Sequence, residues 1–201
     1  FPYEKTTSYI KGTEKGPDAI IKASSEMELY DDEVGNAFEC GICTIESLKI
    51  DEKPEAMTGI INKNIKNLLN DNKFVVTLGG EHSITSGIVS AFHEKYSDLS
   101  VLQIDAHADL RDDFEKSKHS HACAMKRTME ICPVVQVGIR SLSFEESEFI
   151  REKKLKIFWA RDIVDNDKWF DEAIAMLSKN VYITIDADGF DPSIMPAVGT
   201  P

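Results

Sequence analysis

The chain has 201 residues, 42% of them apolar and 29% charged, and a formal net charge of −12. That length suits one domain with a sizeable core, and the acidic balance excludes nucleic acid as partner, because its binders carry a basic face. No apolar run approaches the ~20 residues a membrane helix needs and no signal-peptide pattern opens the chain, so the expected location is cytoplasmic, with no membrane partner.

Gly16-Pro17-Asp18-Ala19-Ile20 reads as a short helix start. Cys40-Gly41-Ile42-Cys43 has the spacing of half a zinc site, but Cys123 and Cys132 are not placed to complete it, so all four cysteines read as reduced thiols. A helix is predicted over 54–70, where Met57, Ile60, Ile61, Ile65, Leu68 and Leu69 form an apolar stripe behind a first-turn proline. Short unbroken apolar runs at 74–78, 100–104, 134–137, 156–159 and 181–185 predict strands buried on both faces. Helices are predicted between them at 82–96, 122–130, 145–153 and 167–178. This alternation predicts βαβ units and an open parallel sheet, an α/β fold class.

In such sheets ligands gather at the carboxyl ends of strands. Gly79-Gly80-Glu81-His82 follows the first predicted strand, Asp105-Ala106-His107-Ala108-Asp109 the second, and Asp186-Ala187-Asp188 the last. Alternation along an extended chain sends residues i, i+2 and i+4 to one side, so these carboxylates and imidazoles can converge. Carboxylates packed together either take up protons or bind a cation. Oxygen donors with imidazole suit Mn²⁺, Zn²⁺ or Fe²⁺, and one aspartate from each cluster can bridge two ions about 3.5–4 Å apart. The plainer alternative is a solvated acidic loop with a chance histidine. His82 reads equally as a ligand or a helix cap, and His121 as a proton shuttle or a cap. His119 and His93 read as loop and outer-helix residues, Glu81 as a supporting or surface group, and Asp191, before a proline, as a turn former.

Gly79 through Thr85, Asp105 through Asp109 and Asp186 through Pro192 resemble the three metal-binding blocks of the ureohydrolases, the arginase and agmatinase family. Thr6-Thr7-Ser8 and Gly12 through Ile20 resemble that family's N-terminal substrate loop and first helix. The resemblance implies an arginase-like three-layer fold, with a central parallel sheet and helices on both faces. It also implies two Mn²⁺ per subunit. One ion would be held by His82, Asp105, Asp109 and Asp186, the second by Asp105, His107, Asp186 and Asp188. A metal-bridging hydroxide would attack the guanidinium carbon of a small cationic guanidino substrate, Asp188 would assist proton transfer, and His121 matches the shuttle histidine. A homo-oligomer, trimer or hexamer, follows by analogy.

Within the family the pattern is most similar to agmatinases, which implies agmatine as substrate and putrescine and urea as products. Arginases place an asparagine and an aspartate where this chain has Arg111 and Ser143. Those two groups hold the amino-acid end of arginine, and their replacement favours a decarboxylated substrate. The chain starts at Phe1 and stops at Gly199-Thr200-Pro201, in a loop pattern. The expectation is a single ureohydrolase domain over 1–201 that lacks its C-terminal part, including a glutamate that contacts guanidinium. The competing readings are an arginase or guanidinobutyrase, a two-metal phosphoesterase, and a non-catalytic family member. The phosphoesterase reading lacks its Gly-Asn-His-Asp/Glu motif.

Overall fold

The computed structural model describes residues 1–200. Two compact units emerge, one made of residues 1–51 with 76–81, the other of residues 52–75 with 82 onward. The first holds α1 (Gly16–Ser24), entered through a proline in its first turn and a 3-10 turn at Thr13–Lys15. Its irregular backbone is tied by carboxylates. Glu4 Oε2 accepts from the N–H groups of Gly12 and Glu14. The buried Glu81 accepts from both the N–H and the hydroxyl of Thr6.

The second unit carries the sheet. Its strands are β1 (Leu99–Ile104), β2 (Val134–Ile139), β3 (Ile157–Trp159) and β4 (Asn180–Ile185), in the order β3-β2-β1-β4 and all parallel. Helices α2 (Pro54–Asn70) and α3 (Thr85–Lys95) precede β1, and α4 (Ala124–Met129) precedes β2. Helix α5 (Phe144–Lys153) joins β2 to β3, while α6 (Ala160–Ile163) and α7 (Lys168–Ala175) join β3 to β4. Of the apolar stripe on α2, Met57, Ile61, Ile65 and Leu69 are buried, an i, i+4 row packed on α3. Alternation splits β2 between two layers, Val135 and Val137 packing with Phe158 of β3 and Ala173 of α7, and Val134 facing the other way. Ile139 joins the layer of Val134 because the register breaks at Gly138, and it packs with Met125 of α4 and Ile150 of α5. The sheet therefore has helices on both faces. Among the described residues no helix is long and apolar enough to cross a membrane.

The sheet strands and the helices lie within a few residues of the sequence expectation, with two corrections. The run 181–185, expected to be buried on both faces, is the edge strand β4, and its Ile183 and Ile185 are half exposed. Residues 74–78 were expected as a strand, and they pair with no strand among the described residues. Phe74 is 95% exposed. A strand exists through the ladder it forms with a neighbour, and composition alone cannot supply one. The four-residue helix α6 had no periodic signal to announce it. All four cysteines are free thiols, Cys40 and Cys43 exposed, Cys123 and Cys132 buried.

Candidate metal centre

The parallel ladder runs one residue past the ends of β1 and β4 and fixes the first aspartate of each cluster. Asp105 N donates to Val137 O at 3.1 Å, and Asp186 N donates to Ile104 O at 2.9 Å. The turn that follows Asp105 is pinned by Arg140 and Ser141, whose N–H groups donate to Ala106 O at 2.8 and 2.9 Å. Two glycines permit this crowding. A Cβ on Gly189 would lie 2.9 Å from Asp105 N and from the Ile104 carbonyl. Gly138, at φ +90°, passes so close that its Cβ would meet Asp105 O at 3.1 Å. Asp109 takes a left-handed backbone at φ 52°, and its carbonyl accepts from Met125 N and Lys126 N at the start of α4.

Side chains from three segments then converge within the second unit. His82 opens a 3-10 turn at His82–Ile84 that leads into α3. Its Nδ1 lies 2.9 Å from Asp109 Oδ2, 3.1 Å from Asp105 Oδ2 and 3.9 Å from Asp186 Oδ2. Its Nε2 lies within hydrogen-bond distance of Thr184 Oγ1, at 3.0 Å, which orients the ring so that Nδ1 faces the carboxylates. His107 Nδ1 lies 3.0 Å from Asp188 Oδ2 and 3.8 Å from Asp105 Oδ1. Asp105 thus stands between the two imidazoles, one oxygen toward each. Two groups with metal-ligand geometry result, His82 with Asp105 and Asp109, and Asp105 with His107 and Asp188.

So much negative charge in a buried corner is balanced by protons when no cation is present. Burial raises the Asp109 carboxyl to about 7, against the bond from His82 and with the Asp105 charge adding to the rise. Burial raises Asp186 as well. Hydrogen bonds to Asp105 and Asp188 lift His107 to about 10. Burial works against a charged His82, yet bonds to Asp105 and Asp109 raise it well above the usual histidine range. Asp105 goes the other way: burial would raise it, but the bonds from His107 and His82 outweigh that and hold it low. Each histidine keeps its Nδ1 directed at carboxylate oxygens, the positions a divalent cation would replace with itself. The donor set fits hard-to-borderline ions such as Mn²⁺.

His121 opens a 3-10 turn before α4 and sits edge-on to Phe114, ring centroids 5.6 Å apart. It belongs to neither ligand group. Asp191 holds its turn, accepting from Ser193 N at 2.8 Å. Arg140 has a role that no local pattern announces: its guanidinium donates to carbonyls of Asp188, Phe190 and Thr200 and so shapes the loop after β4. The same holds for Thr184, Gln103 and Gln136. All three sit inside apolar strand runs, where a lone hydroxyl or amide gives no local signal.

Arg111 and Ser143 are both committed to local structure. Ser143 caps α5, its hydroxyl accepting from Glu146 N while Glu146 accepts from Ser143 N at 2.6 Å. Arg111 lies over the Phe114 ring, with its Nε 3.9 Å from Glu146 Oε2. Neither supplies a carboxylate to pair with an amino-acid ammonium group.

Comparison with known proteins agrees with this geometry. A family model described as the Arginase family matches residues 1–201. The chain belongs to the arginase family. It is 46% identical over 210 residues to an N(1)-aminopropylagmatine ureohydrolase of Synechocystis sp., covering 100% of this chain and 69% of that relative. It is 30% identical to an agmatinase of Bacillus subtilis, over 99% of this chain and 69% of the relative. The crystal structure of agmatine ureohydrolase of Thermoplasma volcanium superposes with a TM-score of 0.90 at 33% identity, over 100% of this chain and 69% of that one. As a member of the arginase family the protein is a hydrolase of amidino C–N bonds acting on guanidino substrates. The family depends on a binuclear metal centre, and the two His/Asp groups that share Asp105 have the donors to hold metal ions.

Proposed function

We propose that this ureohydrolase uses two Mn²⁺ ions to cleave the guanidino group of an agmatine-type amine, releasing urea and the free amine. The observation that carries the reading is the pair of His/Asp groups joined through the two oxygens of Asp105. His82, Asp105, Asp109 and Asp186 are assigned to one ion, and Asp105, His107, Asp186 and Asp188 to the other. When bound, the ions supply Lewis acidity and a water that deprotonates near neutral pH. The carboxylate rim draws the guanidinium, whose planar N–H fork matches carboxylate oxygens. Asp188 Oδ2 receives the proton of the attacking water and returns it to the leaving nitrogen, which departs as an amine. His121 carries protons between this rim and bulk water.

N1-aminopropylagmatine is the substrate favoured by the 46% identity to the Synechocystis enzyme of that name. Agmatine itself is the second reading, supported by the 33% identity to the Thermoplasma agmatine ureohydrolase. The capped Ser143 and the engaged Arg111 argue against arginine in either case. Urea release by the Mn²⁺-loaded full-length protein should be fastest with N1-aminopropylagmatine, slower with agmatine and slight with arginine. Faster turnover of agmatine would exchange the two readings, and no urea from any guanidino compound would end the proposal. The same reading includes a homo-oligomer, which sedimentation of the full-length protein checks directly.

A further inference from the structure

Two glutamines interrupt otherwise apolar strands, Gln103 on β1 and Gln136 on β2, and the parallel register sets them side by side. Gln103 is 0% exposed and Gln136 1%. A carboxamide in so dry a place is retained only if its polar atoms are bonded. Gln136 Nε2 uses both hydrogens, donating to Ala108 O at 2.7 Å and to Gln103 Oε1. Gln103 Nε2 in turn donates to Asp105 Oδ2 at 2.7 Å and to His107 O at 3.2 Å. The run of bonds begins and ends on the 105–109 turn.

Its direction is dictated by what it touches. Rotating the Gln103 amide by half a turn would set Oε1 against the Asp105 carboxylate. Rotating Gln136 would set its oxygen against Ala108 O and Gln103 Oε1. The fold keeps the donating orientation although Gln136 Oε1 is left buried without a partner. An unpaired buried oxygen asks for a reason. Two glutamines placed only to satisfy one another would give none, whereas a pair that must aim a donor at Asp105 does.

We propose that Gln136 and Gln103 form a positioning relay that holds Asp105 Oδ2 and the His107 carbonyl, setting the shared carboxylate for a pair of ions. The inference rests on the metal reading above. Neither glutamine touches the reacting atoms, and both act through Asp105. The relay fixes which way Asp105 splits its oxygens, Oδ2 toward His82 and Oδ1 toward His107. Loss of the relay frees that carboxylate to rotate, so the ion pair should suffer before the fold does.

The test uses the full-length protein carrying Gln103→Met, Gln136→Met or both. The double change removes both partners of the Gln136–Gln103 bond and keeps side chains of similar length, while Ala108 O, His107 O and Asp105 Oδ2 lose a donor. Metal-free melting of the double variant should remain one cooperative transition at a lowered midpoint, which shows that the protein loaded with Mn²⁺ is folded. Calorimetric titration with Mn²⁺ should show the weaker site losing about 10- to 100-fold in affinity, the usual scale for losing a ligand's supporting bond. The electron paramagnetic resonance signal of a coupled Mn²⁺ pair should give way to that of isolated ions. Gln136→Met alone should shift both readouts the same way by less. If Gln103→Met is insoluble, the Gln136→Met spectrum still decides. Variants with wild-type affinity and an intact coupled spectrum would overturn the relay and leave the metal reading standing. A wild-type protein that takes up no Mn²⁺ would overturn both.

Discussion

Asp105 is the most heavily engaged carboxylate of the centre. Besides facing both imidazoles, its Oδ1 accepts from His107 N at 2.7 Å and its Oδ2 from Gln103 at 2.7 Å. Its neighbours make the metal-free protein sensitive to pH. Asp109 and His107 hold protons more tightly in the fold than in the unfolded chain, up to about 7 and about 10. A group raised in this way contributes stability in full below its unfolded value and loses it as pH rises through the folded one. Asp105 is shifted downward, so its contribution is constant through neutral and alkaline pH. The metal-free melting temperature should therefore fall between about pH 6 and about pH 8.5, while Mn²⁺ binding improves because fewer protons need displacing. The rise in melting temperature on adding Mn²⁺ should be larger at the higher pH, and differential scanning calorimetry with and without the ion checks this. A constant difference would show that the cluster's protons do not compete with the ion. The proposed ligands were legible at this scale because each stands where an apolar run or a glycine turn ends. Gln103, Gln136 and Thr184 were not, because their partners lie far along the chain or on another strand.

Elements meet at the centre through backbone rather than side chains. The Ile104 carbonyl and the Asp105 amide leave no room beside Gly189, and neither neighbour is a flexible tip. Gly189→Ala should force β1 and β4 apart at their carboxyl ends, costing about 1–3 kcal/mol as overpacking does. Urea denaturation of the metal-free protein measures that loss, and Mn²⁺ content should drop with it. Full stability in the alanine variant would mean that the strand ends can shift freely. Ser143→Ala makes the opposite test. It removes the hydroxyl that caps α5, which costs about 1 kcal/mol, and it should leave KM for the guanidino substrate unchanged. A raised KM at normal stability would place Ser143 against the substrate. The span 74–78 shows where element prediction stops. Its residues have strand composition, yet pairing is a property of two segments, and β4 sits at the sheet edge with Ile183 and Ile185 half exposed.

The whole chain carries a net charge of −12 and is proposed to act on a cation. A long-range field of that sign raises the local concentration of a guanidinium compound, and salt screens it. KM should rise about two- to threefold between low and high ionic strength with kcat little changed, since the field acts on encounter. A KM independent of salt would confine the electrostatics to the centre itself. Much of this molecule was settled by local pattern. Apolar period marks out the sheet strands and the longer helices, and the acidic clusters lie at strand ends because polar groups must leave a buried strand where it stops. Only the folded chain decided which strands are neighbours, which oxygen of Asp105 faces which histidine, and which amides stand behind it. Those facts depend on contacts between residues far apart in sequence, and such contacts exist only after the sheet has brought the strands together in register.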